Sequence, residues 1–220
     1  RLYQWVSAYA TSELLAQRLP IVGFHYVRVG HVLLFEYRNG HIMMVGGEDM
    51  LRLLHLSDLH LGWQPRFLGS RAGERARERH ESLRKTIDIA LDSKHGIDMV
   101  IIAGDLFDSH RPEVGVVESA LRELNRLGQA GKALVTVPGN HDEITYYDSV
   151  YRQYESRWPG LLVREANPSY IDALQVGGEQ VHLYSVAYTG GLTRCENPLA
   201  DLPRRELPGI HMGIFHGSLD

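Results

Sequence analysis

The chain has 220 residues, 44% of them hydrophobic, with 23 Lys and Arg against 27 Asp and Glu for a formal charge of −4. That composition fits a globular protein with one sizeable core and excludes a polybasic nucleic-acid binder. The lone cysteine, Cys195, excludes an internal disulfide, and neither a bilayer-length apolar stretch nor a signal-peptide pattern is present, so a soluble, cytoplasmic protein with no membrane association is expected.

In chain order, residues 1–49 stand apart. A helix is predicted over 2–19 and strands over 21–35, but no motif there carries chemistry. Gly46-Gly47-Glu48-Asp49 directly precede Met50, and codons for Gly-Gly-Glu can contain a purine-rich ribosome-binding sequence. Two readings stand open: Met50 is the natural start and the leader an in-frame translation of upstream DNA, or the leader is a genuine N-terminal extension. The division expected is 1–49 as an extension of unassigned role and 50–220 as the functional domain.

From residue 51 the pattern becomes regular. Short apolar runs at 51–56 and 99–103 have the look of buried parallel strands, and those at 133–137 and 210–215 also read as strands. Between them, His80, Leu83, Ile87, Ala90 and Leu91 recur at helical spacing, as do Val117, Ala120, Leu121, Leu124 and Leu127, with Pro112 near the second helix's start and Gly128 as its stop. Strand and helix alternate, which predicts βαβ units and a mostly parallel sheet. Runs at 170–174 and 180–186, joined through Gly177-Gly178, add an antiparallel portion. The fold class expected is α/β, a two-sheet β-sandwich flanked by helices.

Each of the four main runs ends in a polar cluster: Asp58-Leu59-His60, Gly104-Asp105 with Asp108, Gly139-Asn140-His141-Asp142, and His216-Gly217. The C-terminal strand edge is where sites form in open α/β sheets. An extended backbone through 58–60 would place Asp58 and His60 on one side, gripping one ion, with Leu59 toward the core. Asp105 has two oxygens and can bridge two cations about 3.5 to 4 Å apart. Asn140 offers a carbonyl oxygen and His216 a ring nitrogen to the second ion. Gly104, Gly139 and Gly217 permit sharp turns and close approach. The other histidines, among them His55, His80, His95, His110, His182 and His211, are read as structural or solvated. Two divalent cations are implied; carboxylate, imidazole and amide ligands suit Mn2+ and tolerate Fe, Zn or Mg.

The wording around these residues, Leu56-Ser57-Asp58-Leu59-His60-Leu61-Gly62, Ala103-Gly104-Asp105-Leu106-Phe107-Asp108 with Arg111-Pro112, Pro138-Gly139-Asn140-His141-Asp142 and His216-Gly217-Ser218-Leu219, resembles the calcineurin-like metallophosphoesterase superfamily, and within it the DNA repair exonucleases of the SbcD type. The resemblance runs from residue 51 to 220. It implies that Asp58 and His60 hold one metal, Asp105 bridges, and Asn140 and His216 hold the other. His141 becomes the acid that protonates the leaving oxygen, and Asp108 orients His141 or a ligand. It also implies DNA as substrate and an SbcC-like ATPase partner, and leaves room for a homodimer. Members continue to a Gly-His-x-His segment absent here, so a truncated chain with a site open on one side is expected.

A basic stretch after the first motif, Arg66, Arg71, Arg75, Arg77 and Arg79 with Arg84 and Lys85, reads either as a grip on backbone phosphates or as a solvated helix of Glu–Arg pairs. Trp63, Phe67, Tyr146 and Tyr147 read as stacking platforms for unpaired bases or as core and rim packing. Three functions remain open: a DNA exonuclease or endonuclease subunit, a phosphoesterase for a small phosphodiester, nucleotide or phosphoprotein, and a non-catalytic scaffold.

Overall fold

The computed structural model describes residues 24–29, 32–37, 51–64, 67, 69, 72–190 and 205–217. The helix expected over 2–19, the junction at Met50, Cys195, Arg66 and Arg71 lie outside the described residues, as does the side chain of Arg75.

The first elements, β1 (Phe24–Val29) and β2 (Val32–Tyr37), form an antiparallel pair in register from Phe24↔Tyr37 to Val29↔Val32. A parallel sheet follows, made of β3 (Leu53–Leu56), β4 (Met99–Ala103), β5 (Ala133–Val137) and β6 (Leu161–Leu162), side by side in that order. Every residue of β4 is buried, as expected of a strand covered on both faces. Helices α1 (Ala72–Leu91) and α2 (Val114–Gln129) make the crossovers. On α2 the buried residues are Val117, Ala120, Leu121, Leu124 and Leu127, the stripe that spacing predicted. Gly128 does not stop the helix: it lies inside it, and the chain leaves two residues later, where the Lys132 N–H returns to the Leu127 carbonyl at 2.9 Å.

The second sheet has three strands, β7 (Ser169–Val176), β8 (Glu179–Ser185) and β9 (Ile210–Ile214). The first two form a hairpin through Gly177-Gly178, and β9 runs parallel to β8. Val176, Val181, Leu183, Met212 and Ile214 from this sheet join the residues of β3, β4, β5 and both helices in one hydrophobic core. The architecture is thus mixed α/β, with a parallel sheet, a second sheet and flanking helices. Short α3 (Val150–Gln153) and the two-residue β6 carry too little periodicity to be predicted.

Candidate metal centre

Residues following β3, β4 and β5 run out together at one edge of the parallel sheet. Beyond the strand ends the pairing of β3 with β4 continues: the N–H of Asp58 donates to Gly104 O (3.2 Å), that of His60 to Asp105 O (2.9 Å), and that of Leu61 to Leu106 O (2.8 Å). Residues 58–60 therefore span three positions where the partner spans two. The backbone absorbs the extra residue by turning left-handed at Asp58 (φ 56°) and His60 (φ 47°). The extended geometry expected for this segment does not form. Asp105 is also left-handed, at φ 53°. Three non-glycine residues in this region at one site mark a strained, over-determined cluster.

That kinked backbone still brings the side chains together. Ligand atoms of Asp58, His60 and Asp105 all lie within 4.8 Å of one another. Around a small dication, with bonds of about 2.1 Å, ligand atoms stand roughly 3 to 4 Å apart, so these donors fit a cation after sub-ångström closure. Asp105 is buried, and its Oδ2 is 3.8 Å from His60 Nε2 and 3.5 Å from His216 Nε2, between the two imidazoles. Its Oδ1 accepts the backbone N–H of His141 at 2.9 Å. His216 Nδ1 lies 2.9 Å from the Ala103 carbonyl, to which it donates, and this leaves Nε2 turned toward Asn140 Oδ1 at 3.0 Å. An imidazole fixed through one nitrogen by a carbonyl, with the other directed into a cluster of oxygens, is the arrangement of a metal-ligating histidine. His60 Nδ1 is buried with no hydrogen-bond partner of good geometry, and Asp108 Oδ1 stands 3.3 Å away.

Electrostatics follow from this crowding. Burial alone would raise the Asp105 pKa, but the His216 imidazole and the His141 amide outweigh it and hold the carboxyl below the usual aspartate value. Burial would lower that of His216, and the Asp105 carboxylate outweighs it in turn and raises it.

Two glycines are required by close approach. A Cβ on Gly104 would stand 2.0 Å from His216 Nδ1, and one on Gly139 would stand 2.2 Å from Asp105 Oδ1 and 2.4 Å from the Asp105 nitrogen. Gly217 has open space around it, so no contact at the site demands it.

Beside this cluster, His141 Nδ1 lies 3.2 Å from the Asp108 carbonyl and 3.7 Å from Asp108 Oδ1, and its ring meets the His60 ring edge-on at 4.5 Å. His60, Asp108 and His141 form a second group with ligand atoms within 4.8 Å of one another.

Two supports carried no role in the sequence reading. Asp142 is fully buried and accepts hydrogen bonds from the backbone N–H groups of Phe107 (3.0 Å) and Gly139 (2.7 Å) and from the Tyr151 hydroxyl (2.7 Å). Tyr188, just beyond β8, donates its N–H to the Pro138 carbonyl and sets its ring against His216. A charged fourth residue after Gly-Asn-His was the only signal for Asp142, and Tyr188 left none.

The remaining expectations divide. Arg84 and Lys85 make exposed i,i+4 pairs with Asp88 and Glu81, as a solvated helix face would, and Arg79 turns inward. Phe67 and Tyr147 are 80% and 89% exposed, so neither is core, whereas Tyr146 stacks on His110 at 4.0 Å. His182 and His211 stack on each other between tyrosine hydroxyls and backbone carbonyls, a structural role. Among the described residues no helix is long and apolar enough to cross a membrane.

The DNA double-strand break repair protein Mre11 of Sulfurisphaera tokodaii is 34% identical over 102 residues, 46% of this chain and 25% of its own length. Its Haloferax volcanii counterpart is 33% identical over 93 residues, 42% and 20% of the two chains. The SbcD component of the SbcCD nuclease of Escherichia coli K12 is 35% identical over 96 residues, 43% and 22%. The chain thus spans about a quarter of the length of these relatives. Residues 51–209 match the calcineurin-like phosphoesterase family, a family of metal-dependent hydrolases, and with well over half of its length matched the chain belongs to that family.

Proposed function

We propose that this chain carries the nuclease site of a DNA repair phosphodiesterase that works with an SbcC-like ATPase partner. The observation that carries the reading is Asp105 Oδ2 set between His60 Nε2 and His216 Nε2, a carboxylate that two ions could share. Asp58, His60 and Asp105 would hold one divalent cation, and Asp105, Asn140 and His216 the other, with manganese the metal best suited to these ligands. When bound, the pair supplies electrophilic activation of a phosphate ester and of the water that attacks it.

His141 protonates the leaving sugar oxygen. Its Nδ1–H is committed to the Asp108 carbonyl, which leaves Nε2 as the atom that delivers the proton, on a ring 43% exposed and open to substrate. The Asp108 carboxylate lies 3.7 Å from the same Nδ1 and keeps the ring in this orientation. The kinship with Mre11 and SbcD supports DNA over other esters.

The test is an assay of the natural full-length protein with manganese on DNA ends and on a small aryl phosphodiester. DNA cleavage is expected; brisk small-ester turnover with no DNA cleavage would refute the nuclease reading. In the same protein His141→Ala should retain manganese binding and lose turnover by about 10²-fold or more. Unchanged turnover would remove His141 from its role.

A further inference from the structure

The left-handed segment at 58–60 needs its carbonyls satisfied as well as its amides. The His60 carbonyl accepts the Trp63 N–H at 3.1 Å, and the Leu61 carbonyl accepts the Asp108 N–H at 3.1 Å. Between the two proposed ligands, the Leu59 carbonyl points to the other side, toward α1. There it accepts Nη1–H of Arg79 at 2.9 Å, a bond reaching back 20 residues. The same guanidinium lies 4.3 Å from the centroid of the Trp63 ring. Arg79 therefore touches this loop twice, once by a directional hydrogen bond and once by a cation–π contact, a combination that the planar, weakly hydrated guanidinium makes better than a compact ammonium. Its partial burial distinguishes it from the exposed Arg84 and Lys85 on the same helix.

We propose that Arg79 is a positioning residue of the metal centre: by holding the Leu59 carbonyl and the Trp63 ring it fixes the left-handed bend that lets Asp58 and His60 face one ion together with Asp105. The proposal rests on the metal-centre reading and adds that an arginine from the basic stretch acts on the ligands, through their backbone, rather than on DNA phosphates.

Manganese titration by calorimetry tests it, on the 220-residue chain and on the variants Arg79→Met, Arg79→Lys, Lys85→Met and Asp105→Asn. Arg79→Met keeps the apolar stem and loses the donor, and should weaken manganese binding about 10- to 100-fold, the usual effect of losing a partner that orients a ligand. Arg79→Lys, able to donate but without the planar face, should recover part of that loss, and carries the test if the methionine variant does not fold. Lys85→Met should bind as the parent chain does. Circular dichroism without metal checks that each variant is folded. Unchanged manganese affinity in folded Arg79 variants, with Asp105→Asn abolishing it, would overturn the role of Arg79 and leave the metal centre standing. Unchanged affinity in Asp105→Asn would refute the metal centre, and this proposal with it. A rise in KM for DNA with manganese affinity intact would reassign Arg79 to phosphate binding.

Discussion

Asp142 shows how a single buried carboxylate can govern a site it does not enter. Its three donors come from the loop after β4, the loop after β5 and α3, so one side chain holds the Asp105 and Asn140 loops in a common frame. Burial raises its pKa above the ordinary aspartate value, against the pull of those three hydrogen bonds. Tyr151, equally buried, stays a phenol, its pKa pushed well up by burial and by the neighbouring carboxylate. Tyr151→Phe removes one donor from this group. It should cost about 1.5–3 kcal/mol in urea unfolding, the range for a hydrogen bond to a charged partner; a loss under about 0.5 kcal/mol would show that the carboxylate is held by the two amides alone. That Asp58, His60, Asp105, Asn140 and His216 come near one another was legible, because each is a polar residue just after an apolar run. The role of Asp142 was not, because burial and the identity of three donors from distant segments exist only in the folded chain. Nor was the kink at 58–60, which arises from a one-residue mismatch between two neighbouring loops.

Helices and strands were read more easily, since packing imposes periodicity on them. The α2 stripe of Val117, Ala120, Leu121, Leu124 and Leu127 appears unchanged in the core, and the limits of β4 and β5 coincide with their apolar runs. β6, with two residues, and α3, with about one helical turn, hold too little of a period to be read. His80 on α1 belongs to the predicted apolar stripe, and its partial burial lowers its pKa below the usual value near 6.5. The sign follows from proton binding. The unfolded chain takes up the proton at higher pH than the folded one, so stability is full above about 6.5 and is lost as pH falls from there toward the depressed value. His80→Leu should flatten the stability profile across that window, measured by urea unfolding at about pH 7.5 and about pH 5.5. An equal acid loss in the variant would assign the sensitivity to other groups.

Across the whole molecule, parallel strands put three of the loops at one edge, and β9 of the second sheet delivers His216 to the same place, with its ring against Tyr188 and its Nδ1 on the Ala103 carbonyl. The alternation of strands and helices predicted the first sheet. The parallel seating of β9 beside β8 has no sequence signal, because register between distant segments is set by the shared core. The left-handed residues carry a last consequence. A non-glycine residue in that conformation costs about 1 kcal/mol or more, which the fold bears at Asp58 and His60 for the sake of where their side chains end up. Durability and chemistry are therefore opposed at these positions. Asp58→Gly should raise the melting temperature in the absence of metal while abolishing manganese binding, and a fall in melting temperature would contradict this. A population of variants sorted only for survival of heating would drift toward glycine at 58, arriving at a sturdier protein that has forgotten its trade.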